Sequence, residues 1–114
     1  MTNLNLSDHM ANLISEYLSR FITPYKGLSV ADMVGEAHAY GALFVAEDGV
    51  LGLKPFNANT WEVLFFVAES KATRKNLIQQ AAEALGKISV TFSRWKHNDR
   101  SRTYGPDLWM KLAA

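Results

Sequence analysis

The apolar residues of this chain change their spacing along the sequence, and each spacing predicts one element of secondary structure. An almost unbroken apolar run extends from Val63 to Ala68. Continuous rather than alternating apolarity is typical of a strand that is covered on both faces. We therefore predict a strand over residues 60–68 that is central in its sheet.

A helix is predicted directly after this strand. Ser70 can accept a hydrogen bond as the N-cap residue, and residues 71–85 are rich in good helix formers. Gly86 stands where helices commonly end in a left-handed residue. The joint between strand and helix directs unpaired backbone N–H groups at one spot, which can bind an anion.

The first apolar stripe with helical spacing lies near the N-terminus, where Ser7 can cap a helix over residues 7–21. The stripe consists of Met10, Leu13, Ile14, Tyr17, Leu18 and Phe21. We expect this face to be turned to the core, with contact to a partner as the alternative. Ser29 and Asp32 then have the spacing of a capping box, which predicts a short second helix over residues 30–36.

A period of two predicts strands after the second helix. The first is expected over residues 39–47, with His38 at its beginning. Asp48-Gly49 then predicts a two-residue hairpin turn with glycine at positive φ, and residues 50–56 predict the returning strand. With the central strand these form an antiparallel meander.

Alternation resumes after the second long helix. It predicts a fourth strand over residues 87–95, parallel to the central strand because a helix connects the two. Residues 106–113 predict a short closing helix. The pattern as a whole predicts one α+β domain over residues 1–114, with a mainly antiparallel sheet of four or more strands and helices packed on it.

Composition narrows the choice of function only slightly. Twelve Lys and Arg against eleven Asp and Glu leave a net charge of +1, which favours no particular partner. The absence of cysteine excludes disulfides, thiolate metal sites and a cysteine nucleophile. No apolar run approaches the roughly 20 residues of a membrane helix, and the N-terminus does not read as a signal peptide. We expect a soluble intracellular protein.

The order of these elements resembles the fold of the Gcn5-related N-acetyltransferases. In that family a loop and helix after the central strand hold the pyrophosphate of coenzyme A, with the signature Q/R-x-x-G-x-G/A. Arg74 matches its first position, but Leu77 and Gln79 replace the glycines. Since side chains there obstruct the approach of phosphates to the backbone, the resemblance implies an altered acyl-CoA site.

The segments WEVLFFVAESKATRKNLIQQAAEAL and FSRWKHNDRSRTY are similar to small acetyltransferase-like proteins of tailed bacteriophages. That resemblance implies an accessory virion or head-assembly protein with a degenerate acyl-CoA site. It would act in the virion or the bacterial host cytoplasm, through other virion proteins or further copies of itself. The alternative that follows from the first resemblance is an N-acetyltransferase that uses acetyl-CoA.

The basic loop before the second long helix is the candidate anion site. A helix N-terminus, hydroxyls and cations together can bind a phosphate group. The residues concerned are Ser70, Thr73, Arg74, Lys75 and Asn76. The alternative is a helix cap followed by a solvated basic turn.

Candidate groups for acid–base chemistry are scattered. Glu62 lies early on the central strand and Glu69 at its end, and Tyr40 or Tyr104 could donate a phenol proton. Their spacing is not diagnostic of catalysis, and we expect Glu62 to face solvent or an edge. The three histidines have no metal-binding spacing.

A second basic segment covers residues 94–104. Cations with aromatic residues at both ends can bind nucleic acid or an acidic protein surface; the alternative is a solvated loop. The segment comprises Arg94, Trp95, Lys96, Arg100, Arg102 and Tyr104. Trp109 is expected to be either a buried anchor or an interface hot spot.

Overall fold

The structure is a computed structural model that describes residues 8–22, 29–91, 103–105, 109 and 111. Its elements in chain order are α1 (Asp8–Ser19), α2 (Val30–Tyr40), β1 (Ala42–Ala46), β2 (Gly49–Pro55), β3 (Thr60–Ala68), α3 (Lys71–Leu85), β4 (Ser89–Thr91) and β5 (Thr103–Tyr104).

The strands within the described residues form one sheet in the order β1-β2-β3-β4-β5, and among these strands only the β3–β4 pair is parallel. The α+β class, the meander of β1 to β3 and the parallel fourth strand are confirmed. No helix in the described ranges is long and apolar enough to cross a membrane.

Strand β3 is covered on both faces, as its continuous apolarity predicts. Its residues divide between two separate clusters of buried side chains, one under α1 and α2 and one under α3. Val63 belongs to the α3 cluster, whereas Leu64 and Val67 belong to the cluster under α1 and α2. The sheet is therefore the middle layer between two helical layers.

A β-bulge interrupts the alternation of β3. Gly52 pairs with Phe65 and Leu53 pairs with Val63, so Leu64 is the extra residue of β3. Leu64 and Phe65 consequently both join the cluster under α1 and α2. The bulge explains why neighbouring large residues of this strand share one face.

The boundary between α2 and β1 differs from the prediction. Residues 39 and 40 belong to α2, which places His38 in the last helical turn and not in a strand. The helix continues because residues 35–42 contain no β-branched side chain. It ends at Gly41, where a Cβ would lie only 1.8 Å from the carbonyl oxygen of Leu53.

The predicted Asp48-Gly49 turn is wrong by one residue. Ala46 pairs with Gly49, so the two turn residues are Glu47 and Asp48. Gly49 starts β2 without a positive φ. A Cβ there would lie 2.6 Å from Thr73 Cγ2 and 2.6 Å from the Val67 carbonyl oxygen, so glycine permits close packing rather than a turn.

The ends of α3 follow the prediction more closely. The side chain of Ser70 accepts a hydrogen bond from the backbone N–H of Thr73 at 3.1 Å. Gly86 has a φ of 78° and a ψ of −157°, a positive φ outside the left-handed helical region. Residues 92–95 of the predicted fourth strand lie outside the described residues, as does most of the predicted closing helix.

Candidate functional site

The hydroxyl groups at the N-terminus of α3 are engaged within the protein. Ser70 Oγ caps the helix and also donates to Thr73 Oγ1 at 3.0 Å. Thr73 is buried and donates in turn to the carboxylate of Asp48 in the β1–β2 turn. The two hydroxyls of the predicted anion site therefore connect α3 to the hairpin.

Two carboxylates lie at this end of the sheet. The backbone N–H of Glu69 donates to the carbonyl oxygen of Asp48 at 3.0 Å, which joins the β3–α3 loop to the β1–β2 turn. The carboxylate of Asp48 supplies negative charge next to the α3 N-terminus, where negative charge is stabilising. A phosphate group at the same place would meet that charge with repulsion.

The remaining residues of the predicted anion site are exposed on α3. Asn76 Oδ1 accepts a hydrogen bond from Gln80 Nε2 at 2.7 Å, and Lys75 is exposed to solvent. Arg74 lines a shallow depression of about 210 Å³ together with Phe66 and Ala68. Arg74 thus faces this depression, whereas the hydroxyls of Ser70 and Thr73 are bonded to each other and, through Thr73, to Asp48.

Tyr17 connects α1 to the same end of the sheet. Its hydroxyl donates to Glu69 Oε2 at 2.6 Å. Burial, followed by the hydrogen bond and the charge of Glu69, raises the pKa of Tyr17 to about 12. The sequence pattern placed Tyr17 in an apolar stripe. Its hydroxyl, a polar group within an otherwise apolar face, was the signal that could have predicted a polar contact.

Glu62 is buried, and the expectation that it faces solvent or an edge is wrong. Only 5% of its surface is exposed. Its register partners are Lys54 in β2 and Thr91 in β4, and Lys54 Nζ lies 3.9 Å from Glu62 Oε1. The same Nζ lies 3.2 Å from Oε2 of Glu36 in α2. Glu62 is buried because α2 packs on β2 and places Glu36 over this end of the sheet.

These three side chains form a charged cluster of two carboxylates and one ammonium group, at the opposite end of β3 from the α3 N-terminus. The ammonium group compensates the cost of burying negative charge. Carboxylates are among the groups that serve as general bases in enzymes. Within the described residues no group of three or more His, Asp or Glu side chains could hold a metal ion.

An apolar groove runs between α1 and the β1–β2 hairpin. Three large residues at its rim are partly exposed: Met10 at 43%, Leu13 at 47% and Val45 at 45%. The groove has a volume of about 220 Å³, and Ile14 and Val50 also contribute to its lining. The stripe of α1 is thus turned only in part to the core, where Ile14 and Leu18 are buried.

The groove opens beside an edge of the sheet, because β1 is the first strand in the order. Strand β1 has the sequence ALFVA, without charge or proline. The side-chain amide of Gln80 reaches the carbonyl oxygen of Val45 at 3.4 Å. Apolar side chains of α1 and a short apolar edge strand therefore lie together on one surface.

The second basic segment cannot be placed in this arrangement, since Arg94, Trp95, Lys96, Arg100 and Arg102 lie outside the described residues. The backbone of Tyr104 belongs to β5 and pairs with Val90. Trp109 has 1% of its surface exposed and belongs to the cluster under α3. It is a core residue in the structure, whereas the role of the basic segment stays a prediction.

Comparisons of this chain with protein-family models, with curated proteins and with solved structures found no match.

Proposed function

We propose that this chain acts by binding other proteins, as an accessory virion or head-assembly protein of the bacteriophage type that its sequence resembles. The observation that carries the proposal is the apolar groove between α1 and the β1–β2 hairpin. Met10, Leu13 and Val45 expose close to half of their surfaces around it.

The physical reason is the free energy of burying this surface. Each Å² of apolar surface removed from water contributes roughly 25 cal/mol, and contiguous apolar patches on a folded protein commonly mark contact sites. The neighbouring edge strand adds backbone groups to which another strand can pair. By contrast, the hydroxyls at the N-terminus of α3 are already engaged within the protein, because Ser70 donates to Thr73 and Thr73 donates to Asp48.

The test compares two charge insertions on exposed apolar residues. Leu13→Glu places a carboxylate in the groove, whereas Phe56→Glu changes a residue that is 56% exposed and lies outside the groove lining. Binding is measured by sedimentation, for self-association, and by co-purification with capsid components. We expect the Leu13→Glu substitution to weaken binding by about tenfold or more, equivalent to about 1.4 kcal/mol, and Phe56→Glu to leave it unchanged.

A wild-type chain that remains monomeric and associates with no capsid component would contradict this proposal. Equal loss of binding in both variants would place the contact elsewhere on the protein.

A second candidate function, an acyl-CoA-dependent N-acetyltransferase, is favoured by one feature. The depression lined by Phe66, Ala68 and Arg74 lies beside the N-terminal turn of α3, where the resembled family holds its cofactor. Glu62, the buried carboxylate of the central strand, lies at the opposite end of β3 and does not line this depression. The negative charge of Asp48 near this turn argues against tight binding of phosphates.

Thermal unfolding in acetyl-CoA separates this candidate from the first. A bound cofactor stabilises the folded state by about 2.7 kcal/mol at a hundred times its Kd. The enzyme function predicts a raised Tm that Arg74→Ala abolishes and that Lys87→Ala, at an exposed position beyond the end of α3, preserves. An unchanged Tm in millimolar acetyl-CoA would eliminate it.

A further inference from the structure

Helix α1 makes less contact with the sheet than α2 or α3 does. It packs chiefly on α2, whereas α3 packs on β1, β2 and β3. Two of its large apolar side chains, Ile14 and Leu18, are buried, while Met10 and Leu13 remain nearly half exposed. Elements with little buried apolar contact open locally at a lower free energy than the core.

A hydrogen bond fastens the C-terminal half of α1 to the loop between β3 and α3. Tyr17 Oη donates to Glu69 Oε2 at 2.6 Å, and Glu69 is itself tied through its backbone N–H to the carbonyl oxygen of Asp48. The bond to a carboxylate is of the stronger, charge-assisted kind. It therefore connects α1 to the junction at which Asp48 of the hairpin bonds to Glu69 and Thr73.

We propose that α1 is a latched flap, which opens as a unit away from the sheet and whose opening is controlled by the Tyr17–Glu69 hydrogen bond. Opening widens the groove of about 220 Å³ between α1 and the hairpin. It uncovers Val50, Leu64 and Val67, which are buried in the same cluster as Ile14 and Leu18. The functional consequence rests on the proposed binding function: a partner's apolar segment gains access to the sheet when the flap opens.

Native-state hydrogen exchange on the intact chain tests the flap. In the wild type we expect amides of α1 to exchange through openings that leave α3 protected. Tyr17→Phe keeps the ring and removes the donor, and the loss of this hydrogen bond accelerates α1 exchange about fivefold. Tyr40→Phe, at a tyrosine that is 74% exposed at the end of α2, leaves exchange unchanged.

Glu69→Ala provides the second variant, because it removes the acceptor from an exposed loop without altering α1. It should accelerate the hydrogen exchange of α1 amides to the same extent as Tyr17→Phe and leave the exchange of α3 amides unchanged. Equal protection of α1 and α3 in the wild type would overturn the flap, as would equal acceleration of both helices in both variants. If exchange rules out the flap but the protein still binds its partner, the proposed function stands. A failure of the proposed function itself is detected separately, by the comparison of Leu13→Glu with Phe56→Glu.

Discussion

The ring of Phe65 in β3 lies over Gly52, its register partner in β2. A Cβ built on Gly52 would lie 2.3 Å from Phe65 Cζ, a distance that side chains do not adopt. Phe65 is fully buried in the cluster under α1 and α2. The glycine therefore makes room for Phe65, the largest fully buried side chain of the central strand. The neighbouring bulge turns this ring to the face of the sheet that α1 and α2 cover.

Gly52→Ala should lower the free energy of unfolding by about 1–3 kcal/mol, because the added methyl group overpacks a closed core. Gly35→Ala is the matched control. Gly35 is exposed in the interior of α2, and a Cβ there would meet nothing within 4 Å. It should stabilise the protein by about 0.5–1 kcal/mol through helix propensity. Urea unfolding of both variants measures the two effects, and a shared sign would contradict the packing argument.

Lys54 is expected to stabilise the fold through the two carboxylates that it contacts. Lys54→Met keeps most of the side-chain volume but leaves Glu36 and the buried Glu62 without this cation. Since the cluster is partly exposed, the loss should be about 1–3 kcal/mol. In a Glu62→Gln background the same substitution should cost less, because one negative charge is absent. A cost that is equal in both backgrounds, measured by chemical unfolding, would show that Lys54 and Glu62 are not coupled.

Tyr17 should make stability depend on alkaline pH. Its pKa in the folded protein is raised from an ordinary value of 10.0 to about 12. Between these values the folded state retains a proton that the unfolded state releases, so the contribution of Tyr17 is complete below pH 10 and is lost as the pH rises through about 12. The stability difference between the wild type and Tyr17→Phe should shrink over this interval. A difference that stays constant from pH 9 to pH 12 would refute the shift.

Ser70 should contribute as a helix cap rather than as a ligand for phosphate. Ser70→Ala removes the acceptor for the Thr73 N–H and the donor to Thr73 Oγ1, and should cost about 1 kcal/mol. Ser70→Asp retains an N-cap acceptor and should restore part of the loss in chemical unfolding. Phosphate in the buffer should change neither value. Specific stabilisation of the wild type by phosphate, absent in Ser70→Ala, would instead support an anion site.

The limits of sequence reasoning are clearest at Glu62 and Tyr17. Glu62 follows Trp61 at the start of an apolar strand, and its charge predicted an exposed position. Its burial depends on Lys54 and Glu36, which are separated from it in sequence and are brought to it only by strand register and by the packing of α2. The acceptor for Tyr17 is likewise 52 residues away.

Elements whose stability is local, or depends on a simple pattern, could be predicted from the amino-acid sequence alone. The bounds of β3 and α3, the capping box of α2 and the order of the meander follow from apolar periodicity and short-range hydrogen bonding. The packing of helices on the sheet, by contrast, determines which side chains of α1 are covered, where the bulge in β3 falls and what surrounds the α3 N-terminus. Those outcomes depend on distances between segments that are remote in the chain, and an apolar stripe specifies a face to be buried without specifying how much surface the neighbouring layers can cover.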